Sequence, residues 1–97
     1  MHARIISGLI RPNKREEFMS IFQDTIIPRA KAQEGFASLL LLVDSKTNKF
    51  HSITLWETEY HMSSNESTMY LVKQLGSVAA DFAGPPTTER FEVVVKV

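Results

Sequence analysis

The segment Phe36 to Val43, FASLLLLV, constrains the fold of this chain more than any other stretch. It reads as a strand, followed by the polar turn DSKTNK and a second strand from Phe50 to Glu57. A small antiparallel sheet usually keeps one wet face, and its strands then alternate. This strand does not. Phe36, Leu40 and Leu42 form one side, and Ala37, Leu39, Leu41 and Val43 form the other. Both faces of the sheet therefore need a cover.

The flanking sequence supplies one cover. Ala3 to Ile10 is an isoleucine-rich run that reads as a first strand, closed by Pro12, which cannot donate to a ladder. Asn13 is placed to cap a helix starting near Lys14, with Glu16 three residues on. Phe18, Ile21, Phe22 and Thr25 then recur on one face. Pro28 falls inside that pattern and predicts a kink or restart, and Gly35 supplies the stop. Strand two spans Phe36 to Asp44. The polar stretch Thr58 to Ser67 promises no more than a short helical turn. Met69, Val72, Leu75, Ala79 and Phe82 mark a second amphipathic helix, ended by AGPP. Phe91 to Val97 reads as the last strand, with Phe91, Val93, Val95 and Val97 on one side. The order β-α-β-β-α-β is α+β and ferredoxin-like, with two helices on one face of a four-stranded antiparallel sheet. The helices cover one face only. The other would expose an apolar patch that monomers rarely tolerate, so a symmetric homodimer through the sheet face is expected.

Composition bounds the function. The 97 residues suit one domain spanning 1–97. Eleven basic residues balance eleven acidic ones, which gives no electrostatic case for nucleic acid or an anionic membrane. An RNA-recognition module shares the element order, but strand three here, KFHSITLWE, lacks the basic glycine-aromatic signature. The apolar stretch Ile5 to Ile10 is too short for a membrane span and has no small-residue cleavage site. With no cysteine there is no disulfide and no thiolate chemistry. A cytoplasmic protein is expected.

The stretches GLIRPNKREEFMSIF, IIPRAKAQEGFASLLLLVD and SITLWETE together resemble the antibiotic biosynthesis monooxygenase family of dimeric α/β-barrel proteins, from about Arg4 to Val95. The resemblance implies two sheets meeting face to face with helices outside, and a pocket inside each subunit between helices and sheet. It implies oxidation of a small aromatic, quinol or polycyclic phenolic substrate without flavin or metal. A non-catalytic ligand-binding or regulatory dimer of the same fold is the alternative. Haem-degrading relatives use an asparagine in strand one, a tryptophan in helix two and a histidine further along it. Those positions fall near Ile6, near Asn65, and near Leu75 or Gly76, so no haem and no other cofactor is expected.

Few residues can carry chemistry. His2, His51 and His61 form no pair at metal-ligand spacing. His61, beside the end of strand three, is the candidate general base or a surface histidine. Trp56 could stack on a flat substrate or belong to the core or dimer contact. The Tyr70 hydroxyl could meet a phenolic ligand or lie half exposed. Asn65 could orient a ligand or cap the second helix, with Ser63, Ser64 and Ser67 as rival caps. With Ile6, these residues are expected to line the pocket. Ser7 and Thr54, polar within apolar strands, need hydrogen-bond partners, for which backbone carbonyls are the usual choice.

Overall fold

A computed structural model describes residues 1–67 and 70–97. Among the described residues, β1 (His2–Leu9), β2 (Phe36–Val43), β3 (Lys49–Trp56) and β4 (Thr87–Glu92) form one antiparallel sheet in the order β2-β3-β1-β4. The helices α1 (Arg15–Ile21), α2 (Ile27–Lys31), α3 (Glu59–Ser67) and α4 (Tyr70–Val78) complete the α+β, ferredoxin-like arrangement. No described helix is long and apolar enough to cross a membrane.

The first helical run begins with a 3-10 turn at Pro12–Lys14 and has no side-chain cap, so the expected Asn13 cap does not form. Pro28 acts as expected. It lacks an N–H, and its ring would press on the carbonyl of Asp24 in a regular helix. The chain widens into a π turn over Phe22–Ile26 before α2 resumes. Gly35 turns the chain into β2 with φ of 79°, a conformation open to glycine at little cost.

Three further expectations are corrected. Within β2, the extra residue of a bulge between Phe36 and Ser38 shifts the alternation. Phe36 therefore sits with Leu39, Leu41 and Val43 on the helix side, packed edge-on against Trp56, while Leu40 and Leu42 face outward, 54% and 48% exposed. The polar stretch after β3 is a full helix, α3. Thr58 caps it, its Oγ1 accepting the His61 backbone N–H at 3.1 Å. Lastly, β4 is Thr87–Glu92 and not Phe91 to Val97. It follows β1 from Ser7↔Thr87 to His2↔Glu92, and Val93 donates to the Met1 carbonyl at 2.9 Å as the last rung. Val94, Val95 and Val97 stand exposed beyond it.

In the second amphipathic pattern, Met69 lies outside the described residues, and Val72 is exposed. The inward stripe of α4 is Leu71, Gln74, Leu75 and Val78. It meets Phe18, Phe22 and Ile26 from the first helical run and Ile6, Leu39, Leu41 and Phe50 from the sheet. Phe18 and Phe50 pack with centroids 5.1 Å apart, and Phe82 stacks on Phe50 at 5.3 Å. Gly8 permits this closeness: a Cβ there would lie 3.0 Å from the Phe50 ring.

Candidate functional site

The layer between helices and sheet has an apolar end and a polar end. The apolar end holds a small cavity of about 40 Å³, walled by Ile6, Phe18, Phe22, Phe50, Leu75 and Phe82. That volume holds a water-sized group and no aromatic ring. Two polar side chains reach it, Ser52 from β3 and Gln74 from α4. Gln74 is 6% exposed, and its Oε1 is enclosed with no hydrogen-bond partner among the described residues. Gln74 stands one helical turn after Tyr70 on α4. Burial pushes the Tyr70 phenol up, so it stays neutral and able to donate near neutrality.

The polar end is built on Arg4, which is only 2% exposed. Its guanidinium lies 5.2 Å from the Trp56 ring centroid, a cation–π contact. Nη2 donates to Asn65 Oδ1 at 3.1 Å, and Nη1 to Glu66 Oε2 at 3.3 Å. Arg90 Nε donates to the same carboxylate at 2.8 Å, and its Nη2 also bonds Glu66 Oε1. Asn65 in turn donates to Gln33 Oε1 at 3.0 Å. Burial pulls the Arg4 guanidinium below its ordinary range, although Glu66 opposes the shift. Burial pushes the Glu66 carboxyl up, but Arg90 and Arg4 outweigh it and hold the group below the usual range.

Outside this network, His61, Asn65, Tyr60, Ser64, Gln33 and Glu34 line a cleft of about 220 Å³. His61 Nδ1 lies 2.8 Å from Thr58 Oγ1, and Nε2 lies 3.8 Å from Glu34 Oε1.

The five sequence candidates thus fall in neighbouring places rather than in one pocket. Ile6 lines the cavity. Tyr70, at the start of α4, is not among the residues lining it. Trp56, 0% exposed, is sealed beneath Arg4 and lines neither space. Asn65 is buried within α3, so it does not cap the second helix; it joins Arg4 to the cleft that it shares with His61. Ser7 pairs with His51 Nδ1 at 2.6 Å on the outer sheet face instead of with a carbonyl. Thr54 Oγ1 does reach the Arg4 carbonyl, at 3.4 Å, and it accepts the Trp56 indole N–H at 3.0 Å. Among the described residues, no group of three or more histidine or acidic side chains is placed to hold a metal ion.

Arg4 and Gln74 escaped the sequence reading. Each left a signal: Arg4 is a charge on the inward parity of β1 with Ile6, and Gln74 interrupts the inward stripe of α4.

No family profile matches the sequence. No curated protein matches it either. Solved structures do match over nearly the whole chain. An antibiotic biosynthesis monooxygenase superposes with a TM-score of 0.78 at 16% identity, covering 98% of this chain and 100% of its own. A monooxygenase from the gene ActVA-Orf6 of Streptomyces coelicolor, solved with the ligand nanaomycin D, gives 0.80 at 12% identity, over 99% of this chain and 89% of its own. This chain has the antibiotic biosynthesis monooxygenase fold. The fold alone does not fix an activity: NE2512 of Nitrosomonas europaea, a protein of unknown function, matches with a TM-score of 0.78 at 16% identity, over 99% of this chain and 91% of its own.

Proposed function

We propose that this chain is a cofactor-independent monooxygenase of a small aromatic, quinol or polycyclic phenolic substrate. In this reading it works as a homodimer of single-domain subunits joined through the outer sheet face. The observation that carries the reading is the aromatic-walled layer between α4 and the sheet, apolar except for Ser52 and Gln74, on a fold shared with monooxygenases. Cofactor-free oxygenation asks little of a protein. The ionised substrate gives electrons to dioxygen, one oxygen atom enters the ring and the other leaves as water. The protein supplies a dry pocket, a proton acceptor and hydrogen bonds to the developing charge.

His61 is the assigned base. It shares a cleft with Asn65, the residue that leads inward to Arg4, and an imidazole suits proton transfer near neutrality. Substrate entry requires α4 to move outward, because the cavity of about 40 Å³ is too small for an aromatic ring. Leu40, Leu42, Leu9 and Phe91 make the outer face half exposed and apolar, which supports a second copy as its cover.

The test is oxygen uptake with hydroquinones and polycyclic phenols, with a chelator present and no flavin added. Uptake that survives the chelator and falls about a hundredfold in His61→Ala supports both the activity and the base. Uptake unchanged in His61→Ala removes His61 from the mechanism. The small volume of the cavity favours a second reading, a non-catalytic ligand-binding or regulatory dimer, and absence of uptake with every substrate would establish it over the first.

A further inference from the structure

Gln74 is a polar side chain in a place that burial penalises. It stands in the inward stripe of α4 between Leu71 and Val78, at the wall of an otherwise largely apolar cavity. Its enclosed Oε1 has no hydrogen-bond donor among the described residues. An amide oxygen buried without a donor costs about 1–3 kcal/mol. Leucine or methionine would fill the position without that cost, so the position invites an explanation in terms of a ligand.

The buried atom of the amide that lacks a partner is the carbonyl oxygen. This oxygen is a neutral acceptor, so it calls for an O–H or N–H group and offers nothing to an ether, an anion or a bare hydrocarbon.

We infer that Gln74 is a specificity-determining residue: its amide oxygen receives a hydroxyl or N–H donor carried by a flat apolar ligand that enters between α4 and the sheet. The inference rests on the proposed aromatic pocket and adds the atom that reads the ligand's polar group. Ligands of one shape are then separated by whether they carry a donor. A buried acceptor left unpaired discriminates far more strongly than a missing contact with an apolar wall.

The experiment is calorimetric titration of the intact protein with naphthol and methoxynaphthalene, which share a ring system and differ in the donor. Naphthol should bind the parent protein about tenfold or more tightly. Gln74→Leu and the closer-shaped Gln74→Met should bring the two affinities to within about twofold, with the fold checked by circular dichroism. A preference that survives in either folded variant overturns the inference. So does equal binding of the two probes by the parent, or binding of neither, which would leave Gln74 Oε1 to an enclosed water. Because the readout is binding, donor selectivity without oxygen uptake would defeat the monooxygenase reading and leave this inference standing.

Discussion

Arg4 is a charge that the fold has to neutralise from within. It is the ionic side chain in the layer, with Asn65 and Glu66 as its partners and Trp56 beneath it. A buried ion left without its partner costs about 3–5 kcal/mol. The two members of the pair differ in what remains when the other is removed. Glu66 keeps Arg90 if Arg4 is lost, whereas among the described residues Arg4 keeps neutral Asn65 and the Trp56 ring, and no carboxylate, if Glu66 is lost. Urea denaturation should therefore show Glu66→Gln to be the more destabilising change, by about 3 kcal/mol or more, with Arg4→Met the milder. The opposite ranking would mean that Arg90 does not compensate Glu66. A second residue with an unusual charge is Asp81, 1% exposed and close beneath the surface, facing Glu17 with Lys14 nearby. Burial, then the Glu17 carboxyl beside it, pushes Asp81 up to about 6, against the opposing pull of Lys14. The folded form thus holds a proton that the unfolded chain releases near the ordinary aspartate pKa of about 4. Stability from the Asp81 proton is fully present below about pH 4 and is lost as pH rises through about 6. Asp81→Asn should match the parent at low pH, exceed it at pH 7 and flatten the decline between; a parent more stable at pH 7 than Asp81→Asn would contradict this.

At the scale of elements, β2 carries the clearest consequence. Beyond its bulge, regular pairing with β3 turns Leu41 to the core and leaves Leu40 outside. Leu41→Asp puts a charge among the core residues and should unfold the chain. Leu40→Asp should leave circular dichroism and the melting transition of the subunit close to native but convert a dimer to a monomer in light scattering. A parent chain that scatters as an 11.0 kDa species at micromolar concentration would remove the dimer. Much of the element plan was legible because apolar spacing is a local signal. The strand boundaries in the hairpin, the π turn forced by Pro28 and the turn at Gly35 all follow from residues close in sequence. Three features did not. The β2 bulge depends on the partner strand. The length of α3 rests on the Thr58 cap and on burial of Met62 and Asn65, in a segment whose serines weaken helix propensity. The place of β4 is set by pairing with β1, which outweighed the valine alternation after Phe91.

At the scale of the whole molecule, the layer between helices and sheet is the centre of the account. Phenylalanines from α1, the π turn, β3 and the segment after α4 close one end. Arg4 and its partners lock the other. The sequence named five candidate residues for one pocket, Ile6 and Asn65 through the positions matched to haem-degrading relatives; Ile6 lines the cavity, and Asn65 and His61 line the separate cleft. Trp56 was expected at the pocket and is sealed beneath Arg4, since an isolated aromatic gives no sign of a distant cation. Gln74 and Arg4 were overlooked for the same reason: whether a polar residue on an apolar face is paired depends on partners far away in the chain. The proposed reaction inserts one atom of dioxygen into a phenol or quinol and releases the other as water, without metal or flavin. The most direct measurement is mass spectrometry of products formed under labelled dioxygen, with chelator present. The expected product is a quinone carrying a single labelled oxygen atom, formed at a rate that depends on the enzyme. Absence of labelled product with every phenol and hydroquinone that binds, or label entering from water, would contradict it.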